Sequence, residues 1–551
     1  MLKDVPVSAF AEVFAAFLVE RSGFSGASRE MLGEIIKSLI TSMQGGHTCI
    51  DLSVSEQKLL SGCSLVSTTA DKPLVLSGSR LYLARYFAYE KRLAEKISTL
   101  AAVSYSIENL DGLLNRCFPS SSGKQDKQRD AARVALNKGL CIISGGPGTG
   151  KTTTVVKIVA LLLAHYGVDF RIALTAPTGK AAMRLKESVV SQIPLLAVED
   201  TIKNALPREA QTLHRLLGVR KHSPSFNHNK KRPLPWDVVI VDEASMVDLA
   251  LMSKLVDALT EKTRLILLGD KDQLASVESG AVLSDCIGVL SGNVVELRVA
   301  YRFNKEISTL AGYINSGDGT AAVRLIVDEK VTSVVQAEPG WLDTCGDKYG
   351  QYLEQATDCN CPGELPALFQ LLNSFRILCA LKNGLLGVTG INERIERILA
   401  ARGFECKKHE WYPGRPVMVT RNDYNLNLYN GDIGICLPES PGGRERFIWF
   451  EKGDGAFRRL PPVRLPSHET AWALTIHKSQ GSEFNEVVVV LPETDNQILS
   501  RELLYTAITR ARERVMIRDE ASLCRQVVER MIDRQSGLTE QLSFINVENR
   551  G

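Results

Sequence analysis

From about residue 128 onward, short and uniformly apolar runs alternate with longer segments of helical spacing. The first four runs are Leu140–Gly145, Arg171–Ala176, Asp237–Glu243 and Arg264–Asp270. Runs of this length read as strands buried on both faces. Their alternation with helical segments predicts a parallel sheet with crossover helices. A second set, Arg376–Leu381 and Glu486–Pro492, precedes a segment, Glu502–Arg514, that reads as helical. It predicts a second α/β lobe. Between these two runs, residues 400–467 hold strand-like runs, several prolines and an Asn-Gly turn at Asn430 and Gly431, which predict a small all-β insertion.

The first 115 residues are patterned differently, with helical apolar spacing and no glycine-rich phosphate motif. Phe10, Val13, Phe14, Phe17 and Leu18 recur at helical intervals and predict an amphipathic helix. Pro73–Ile97 reads as a strand, a turn at Gly78, a second strand and then a helix. The polar stretch Pro119–Lys127 reads as a linker. The expected division is therefore a small, mainly helical domain over 1–115, a first lobe over 116–300 and a second over 301–551, with the insertion at 400–467.

Composition narrows the function classes. The 551 residues are too many for one core. Hydrophobic residues make up 44% and charged residues 23%, as in ordinary globular proteins. A net charge of +3 excludes a tail-driven polycation, so any nucleic-acid contact must come from local groups in a groove. The twelve cysteines show no repeated spacing. The close pair Cys359 and Cys361 reads as part of a loop rather than a zinc site, and free thiols fit a reducing cytoplasm. Glu12 interrupts the N-terminal apolar stretch, which argues against a signal peptide. No apolar run approaches the roughly 20 residues that span a bilayer, so the expectation is a cytoplasmic protein without membrane contact.

Ser144–Thr154, SGGPGTGKTTT, follows a predicted strand and opens a predicted helix. Gly145, Gly146, Pro147, Gly148, Thr149 and Gly150 form a loop whose backbone can wrap around phosphate, and the helix N-terminus favours the anion. Lys151 is placed for the β- and γ-phosphates, Thr152 for Mg2+, and Thr153 completes the loop. Downstream, Val238–Met246 is an apolar strand ending in Asp242 and Glu243. An isolated Asp-Glu pair is ordinarily a solvated turn. After a phosphate loop, Asp242 reads as the partner of Mg2+ and Glu243 as the base for the attacking water. The expected cofactors are thus ATP and Mg2+. Gln273 follows the next strand and could sense the γ-phosphate. Arg302 and Arg510 could neutralise charge in phosphoryl transfer, with Arg512 one helical step beyond Arg510.

Gln128 in DKQRDAA, the phosphate loop, TAPTGKAAMRL (175–185), TLHRLLG (212–218), DEAS, GDKDQLASVESGAV (269–282), YRF (301–303), TIHKSQGSEF (475–484) and YTAITRARER (505–514) run in an order that resembles superfamily 1 helicases. With GHTCIDL, SGSRLYLARYF, GRPVM and NGDIGI, the wording is similar to the RecD family, the alpha subunits of exonuclease V (RecBCD) complexes. The resemblance covers most of the chain and is weakest over 284–372. It implies a P-loop NTPase fold with two RecA-like lobes and an SH3-like insertion. It implies a 5′–3′ ATP-dependent DNA helicase, the motor of a heterotrimer with beta and gamma subunits that acts on duplex DNA ends and single-stranded DNA in double-strand break repair and recombination. It also implies that Gln128 contacts adenine and that Thr178, Thr212, His214, His477, Lys478 and Ser479 lie along the strand groove. Trp472, Tyr301, Tyr424 and Phe484 are aromatic candidates for base stacking, with core packing favoured for Phe484.

Three other readings stay open. A stand-alone RecD-like helicase would be expected to carry a longer N-terminal extension. A non-motor subunit could use the nucleotide site as a switch, although the full set of Lys151, Asp242, Glu243, Gln273, Arg302 and Arg510 argues against this. A nuclease would need a carboxylate framework, and the nearest match, Asp328–Lys330, lacks one. Nuclease activity is therefore assigned to a partner.

Overall fold

The structure is a computed structural model and describes residues 8–119, 126–220, 223–299, 304–359, 361–406, 408–423, 425–440, 442–452, 455–519 and 522–548. Two parallel sheets dominate it. In lobe 1 the strand order is Val294–Leu297, Leu140–Gly145, Arg264–Gly269, Val238–Val241, Ile172–Ala176 and Ala210–Thr212, every pair parallel. The four strands read from sequence are all present, and all four are buried from end to end. Burial on both faces explains their lack of polar alternation. Core side chains divide between the two faces: Ile143 and Ile240 pack with the helix Lys151–Tyr166, while Ile142 and Val239 pack with the helix Leu249–Asp257.

Lobe 2 has the strand order Val334–Gln336, Ala511–Arg518, Phe484–Val490, Phe375–Cys379 and Ala473–Thr475, again all parallel. The helix expected across Glu502–Arg514 ends early. It spans Arg501–Ile508, and Ala511–Arg518 is a strand. Arg512 therefore stands on a strand, not one helical step beyond Arg510. The apolar residues Ala511, Val515 and Ile517 face the core there, and a two-residue strand period wins over helix propensity. The insertion is a five-stranded antiparallel sheet in the order Phe457–Leu460, Arg446–Glu451, Ile433–Pro438, Pro416–Val419 and His468–Thr470.

The N-terminal region combines helices with a small sheet that contains Leu74–Ser77 and Arg80–Leu83, joined through Gly78 at φ +60°, as the sequence pattern predicts. The helix that follows, Ala84–Ala102, shares its core with lobe 1 through Leu93, Ile97 and Leu100. The first helix, Ala9–Arg21, forms with the expected stripe only partly inward: Leu18 is buried and Phe14 packs against the core, but the others turn out. Ala11, Ala15, Leu18 and Val19 are buried, whereas Phe10, Val13 and Phe17 are 60%, 70% and 50% exposed. The small side chains of Ala11 and Ala15 let this helix approach Leu32, Ile36 and Leu39 of the next one closely.

The C-terminal segment ties the regions together. Arg534 donates to the carbonyls of Ser276, Glu278 and Gly280 in lobe 1. Thr48 N–H donates to the Gln535 carbonyl at 2.9 Å. Arg80 grips Glu540 at 2.6 and 2.7 Å. Within this junction Glu90 is completely buried and accepts from Thr48 Oγ1, Ser536 Oγ, Gly537 N–H and Gln541 Nε2. Burial pushes its carboxyl up to about 7 despite those donors. No helix among the described residues is long and apolar enough to cross a membrane.

Candidate nucleotide site and strand groove

The phosphate loop joins the buried strand Leu140–Gly145 to the helix Lys151–Tyr166. Gly148 and Gly150 take φ of +73° and +84°, where a side chain would strain the backbone. Thr149 Oγ1 ties the loop to the Gly146 carbonyl at 2.8 Å. The Lys151 ammonium folds back onto the carbonyls of Gly145 and Gly146. Gln128 opens the helix Lys127–Asn137 and brings Nε2 to 3.5 Å from the Thr149 carbonyl, beside the loop.

One pocket gathers most of the predicted groups. Pro147 to Thr153 line it from the loop, Asp242, Glu243 and Gln273 from the neighbouring strand ends, and Arg510 from lobe 2. Gly145 and Gly146 instead line an adjoining cavity of about 330 Å3 with Asp270 and Tyr505. Arg302 and Tyr301 lie outside the described residues.

The electrostatics of the pocket follow from burial. Asp242 ends a buried strand and its carboxyl is pushed up by desolvation and by Glu243, while Lys151 pulls it down. Glu243 sits at φ +52°, a left-handed conformation uncommon for a glutamate, and such strain clusters at functional sites. Gln273 is held by Nε2 donating to Asp270 Oδ2 at 2.9 Å. The same oxygen accepts from Tyr505 of lobe 2 at 3.0 Å, so the loop that carries Gln273 is bonded across the lobes. Leu274 N–H to Thr506 Oγ1 and Gln480 Nε2 to the Leu274 carbonyl add two more such bonds. Arg510 is 2% exposed and donates to the Thr506 and Ser482 carbonyls. Its Nη2 is buried and has no partner among the described residues.

Two charged groups in this pocket escaped the sequence reading. Arg184 reaches it from the helix Gly179–Gln192, and Glu483 from the loop before the strand Phe484–Val490. Glu483 is paired with Arg512 at 2.6 and 2.9 Å. Both stand inside motifs already singled out, TAPTGKAAMRL and TIHKSQGSEF, but spacing alone does not tell which motif residues face phosphate.

A second groove, about 560 Å3, separates lobe 1 from the insertion. Lys186, Thr212, Arg215, Lys452 and Arg458 line it with the rings of Tyr429 and Phe450, and the carboxylates of Glu209, Asp432 and Glu451 stand among these cations. Thr178 stands at its edge as the cap of the helix Gly179–Gln192, accepting from Ala181 N–H. A Cβ on Gly179 would come within 2.6 Å of the Tyr429 ring, so only glycine permits this approach. Thr212 likewise caps the helix Leu213–Leu217, accepting from Arg215 N–H. Lys478 bridges to Asn430 of the insertion.

The remaining predicted groove residues are placed differently. His214 turns onto Phe226, ring centroids 5.7 Å apart, away from the groove lining. His477 is half-buried with Arg534 as a charged neighbour, and desolvation lowers its pKa. Ser479 is fully buried and its hydroxyl donates to the Ile476 carbonyl, so it shapes the turn instead of presenting a free hydroxyl. Trp472 is completely buried and bonded to Tyr412, which corrects its reading as a stacking candidate; Phe484 is also core. Tyr424 lies outside the described residues.

Comparison with known proteins gives the family. Residues 128–279 match the model of an AAA domain and residues 470–517 that of the UvrD-like helicase C-terminal domain. The RecBCD enzyme subunit RecD of Mycolicibacterium smegmatis is 39% identical over 525 residues, covering 91% of this chain and 92% of that protein. The RecBCD enzyme subunit RecD of Haemophilus influenzae is 35% identical, covering 86% and 82%. The ATP-dependent RecD2 DNA helicase of Deinococcus radiodurans is 32% identical, covering 80% of this chain and 56% of that protein. With this level of identity running through nearly the whole of both chains, the chain belongs to the RecD family.

Proposed function

We propose that the chain is an ATP-dependent 5′–3′ DNA helicase, the motor subunit of a helicase–nuclease complex of the RecBCD type. It would act in the cytoplasm on duplex ends and single-stranded DNA during double-strand break repair and recombination. The observation that carries this reading is the single pocket in which Lys151, Thr152, Asp242, Glu243 and Gln273 of one lobe meet Arg510 of the other. A nucleotide bound there touches both lobes, so its hydrolysis changes their separation.

In this reading the loop amides and Lys151 hold the β- and γ-phosphates, Glu243 accepts the proton of the attacking water, and Arg510 neutralises charge on the transferring phosphoryl group. Gln273 senses the γ-phosphate, and Gln128 contacts the adenine. Arg302 belongs to the same set on its motif. Thr152 and Asp242 are hard oxygen donors on one wall of the pocket and fit Mg2+, which would supply charge neutralisation to the phosphates. Thr178, Thr212 and Lys478 contact the strand at its phosphates, with His214, His477 and Ser479 as supporting positions. Residues 1–115 dock on the partner subunits, and 116–300 and 301–551 act as the two motor lobes. Partner subunits related to RecB and RecC supply the nuclease.

The test is ATP turnover by the purified chain, with and without single-stranded DNA, beside Lys151→Ala. The expected result is DNA-stimulated turnover that disappears in a variant that remains folded. Absence of turnover even with DNA and partner subunits present would overturn the proposal.

A further inference from the structure

The helix Gly179–Gln192 joins the two sites. Its first turn lies against Tyr429 at the strand groove, and six residues on from Thr178, about 9 Å along the axis, Arg184 lines the phosphate pocket. Lys180, Arg184 and Glu187 fall on one face at helical spacing and together line a cavity of about 180 Å3 shared with Asp432 and Glu451 of the insertion. Arg184 is the residue of that face that also lines the phosphate pocket.

Its guanidinium is half-buried and makes no hydrogen bond or ion pair among the described residues. The charges that face it are Glu483, Arg510, Glu243 and Arg512, with Lys180 and Glu187 of its own helix beside it. Glu483, the nearest neutralising group by strength of interaction, is already held by Arg512 through two bonds. Lys151 adds a further cation to the same pocket, where Asp242 and Glu243 supply carboxylates. Leaving these donors unused carries a cost that an anionic oxygen entering the pocket would relieve. Arginine stays protonated under such conditions, so the group cannot relieve the cost by losing its proton.

We propose that Arg184 contacts the γ-phosphate of the nucleotide from within lobe 1, and that through its helix it couples the triphosphate state to the grip of the strand groove at Thr178. This rests on the assignment of the pocket to ATP. It adds a cation on the same lobe as the phosphate loop, so that one rigid element of three turns and more carries both the phosphate reader and a strand contact.

The test uses the full chain with Arg184→Ala and Arg184→Lys. Affinity is measured for ADP and for ADP with aluminium fluoride, a mimic of the transferring phosphoryl group, beside DNA-stimulated turnover. Arg184→Ala is expected to keep ADP affinity within about threefold and to lose the mimic by about 10- to 100-fold. Turnover should fall by about 100-fold or more. Affinity for single-stranded DNA, which in the wild type should change on adding the mimic, should no longer respond. Arg184→Lys should restore part of the loss, and it serves as the readout where the alanine variant is unstable. Equal losses for ADP and the mimic would mark a structural role and overturn the proposal, as would wild-type turnover in the alanine variant. A wild-type chain that hydrolyses no ATP would instead overturn the functional reading on which the proposal stands.

Discussion

In lobe 1, six parallel strands end beside a glycine-rich loop whose backbone itself lines the phosphate pocket. In lobe 2, five parallel strands are stacked the same way, yet the lobe reaches that pocket with the side chains of Glu483 and Arg510. The folds match and the contributions do not. In the proposed function one lobe holds phosphate through amides and a lysine fixed on a short loop. The other contributes an arginine that completes the charge around the phosphate when the lobes are together. Binding and turnover would thereby be separated onto two bodies, which is the arrangement a motor needs for hydrolysis to alter their separation.

The largest effect expected from breaking this asymmetry is at Arg510. Arg510→Ala should lower DNA-stimulated turnover by about 10³-fold or more, the range for an arginine acting on a transferring phosphoryl group. It should leave ADP affinity close to wild type, because lobe 1 keeps its grip. Lys151→Ala should lose affinity and turnover together. Nucleotide titration beside steady-state turnover distinguishes the two, and equal loss of binding in both variants would erase the difference between the lobes. Arg510 also donates to the Thr506 and Ser482 carbonyls, so Arg510→Lys is the companion that keeps the charge with less disruption.

A smaller effect is expected on the strand side. Lys478 stands in lobe 2 and bridges to Asn430. Lys478→Ala should reduce the slope of log affinity for single-stranded DNA against log salt by roughly 0.7, one phosphate contact on a single strand. An unchanged slope would place Lys478 off the phosphate track and leave strand binding to the groove between lobe 1 and the insertion.

The smallest effect concerns what holds the bodies in register. The segment around Arg534 to Gln541 clasps lobe 1 and the N-terminal sheet around buried Glu90. The carboxyl is raised from 4.5 to about 7 by burial. Its contribution to stability is therefore full when it is protonated, below about pH 4.5, and is lost as pH rises through about 7. Thermal melts of the wild type should decline across that interval by more than those of Glu90→Gln, a difference on the order of 1–3 kcal/mol at neutral pH. Parallel profiles would show that Glu90 is ionised at no cost and that the clasp is indifferent to its charge.

Much of this architecture was legible before any coordinates. The strands Leu140–Gly145 and Arg264–Gly269 announce themselves because both faces are buried and nearly every position is apolar, Ser144 and Arg264 excepted. The phosphate loop announces itself because its positive φ angles require glycine at Gly148 and Gly150. The first helix shows the limit of such reading. Its strongest apolar stripe, Phe10, Val13 and Phe17, faces outward, and the modest alanines face in. Hydrophobicity ranks side chains by transfer free energy, whereas close helix packing selects for shape. The early end of the helix at Ile508 was hidden for a related reason: TRARERV suits a helix locally, and only pairing with Phe484–Val490 makes it a strand.

The sequence by itself determined the family, the two-lobed α/β plan and the glycine-rich loop proposed to meet phosphate, because those depend on local backbone geometry and on burial along the chain. The tertiary structure alone decided which members of the motifs share the pocket. Arg184 and Glu483 enter it, His214 and Ser479 turn from the groove, and Trp472 goes into the core. Helical phase, the meeting of the lobes and the seating of the insertion against Gly179 fix these choices, and each depends on contacts between residues far apart in the chain.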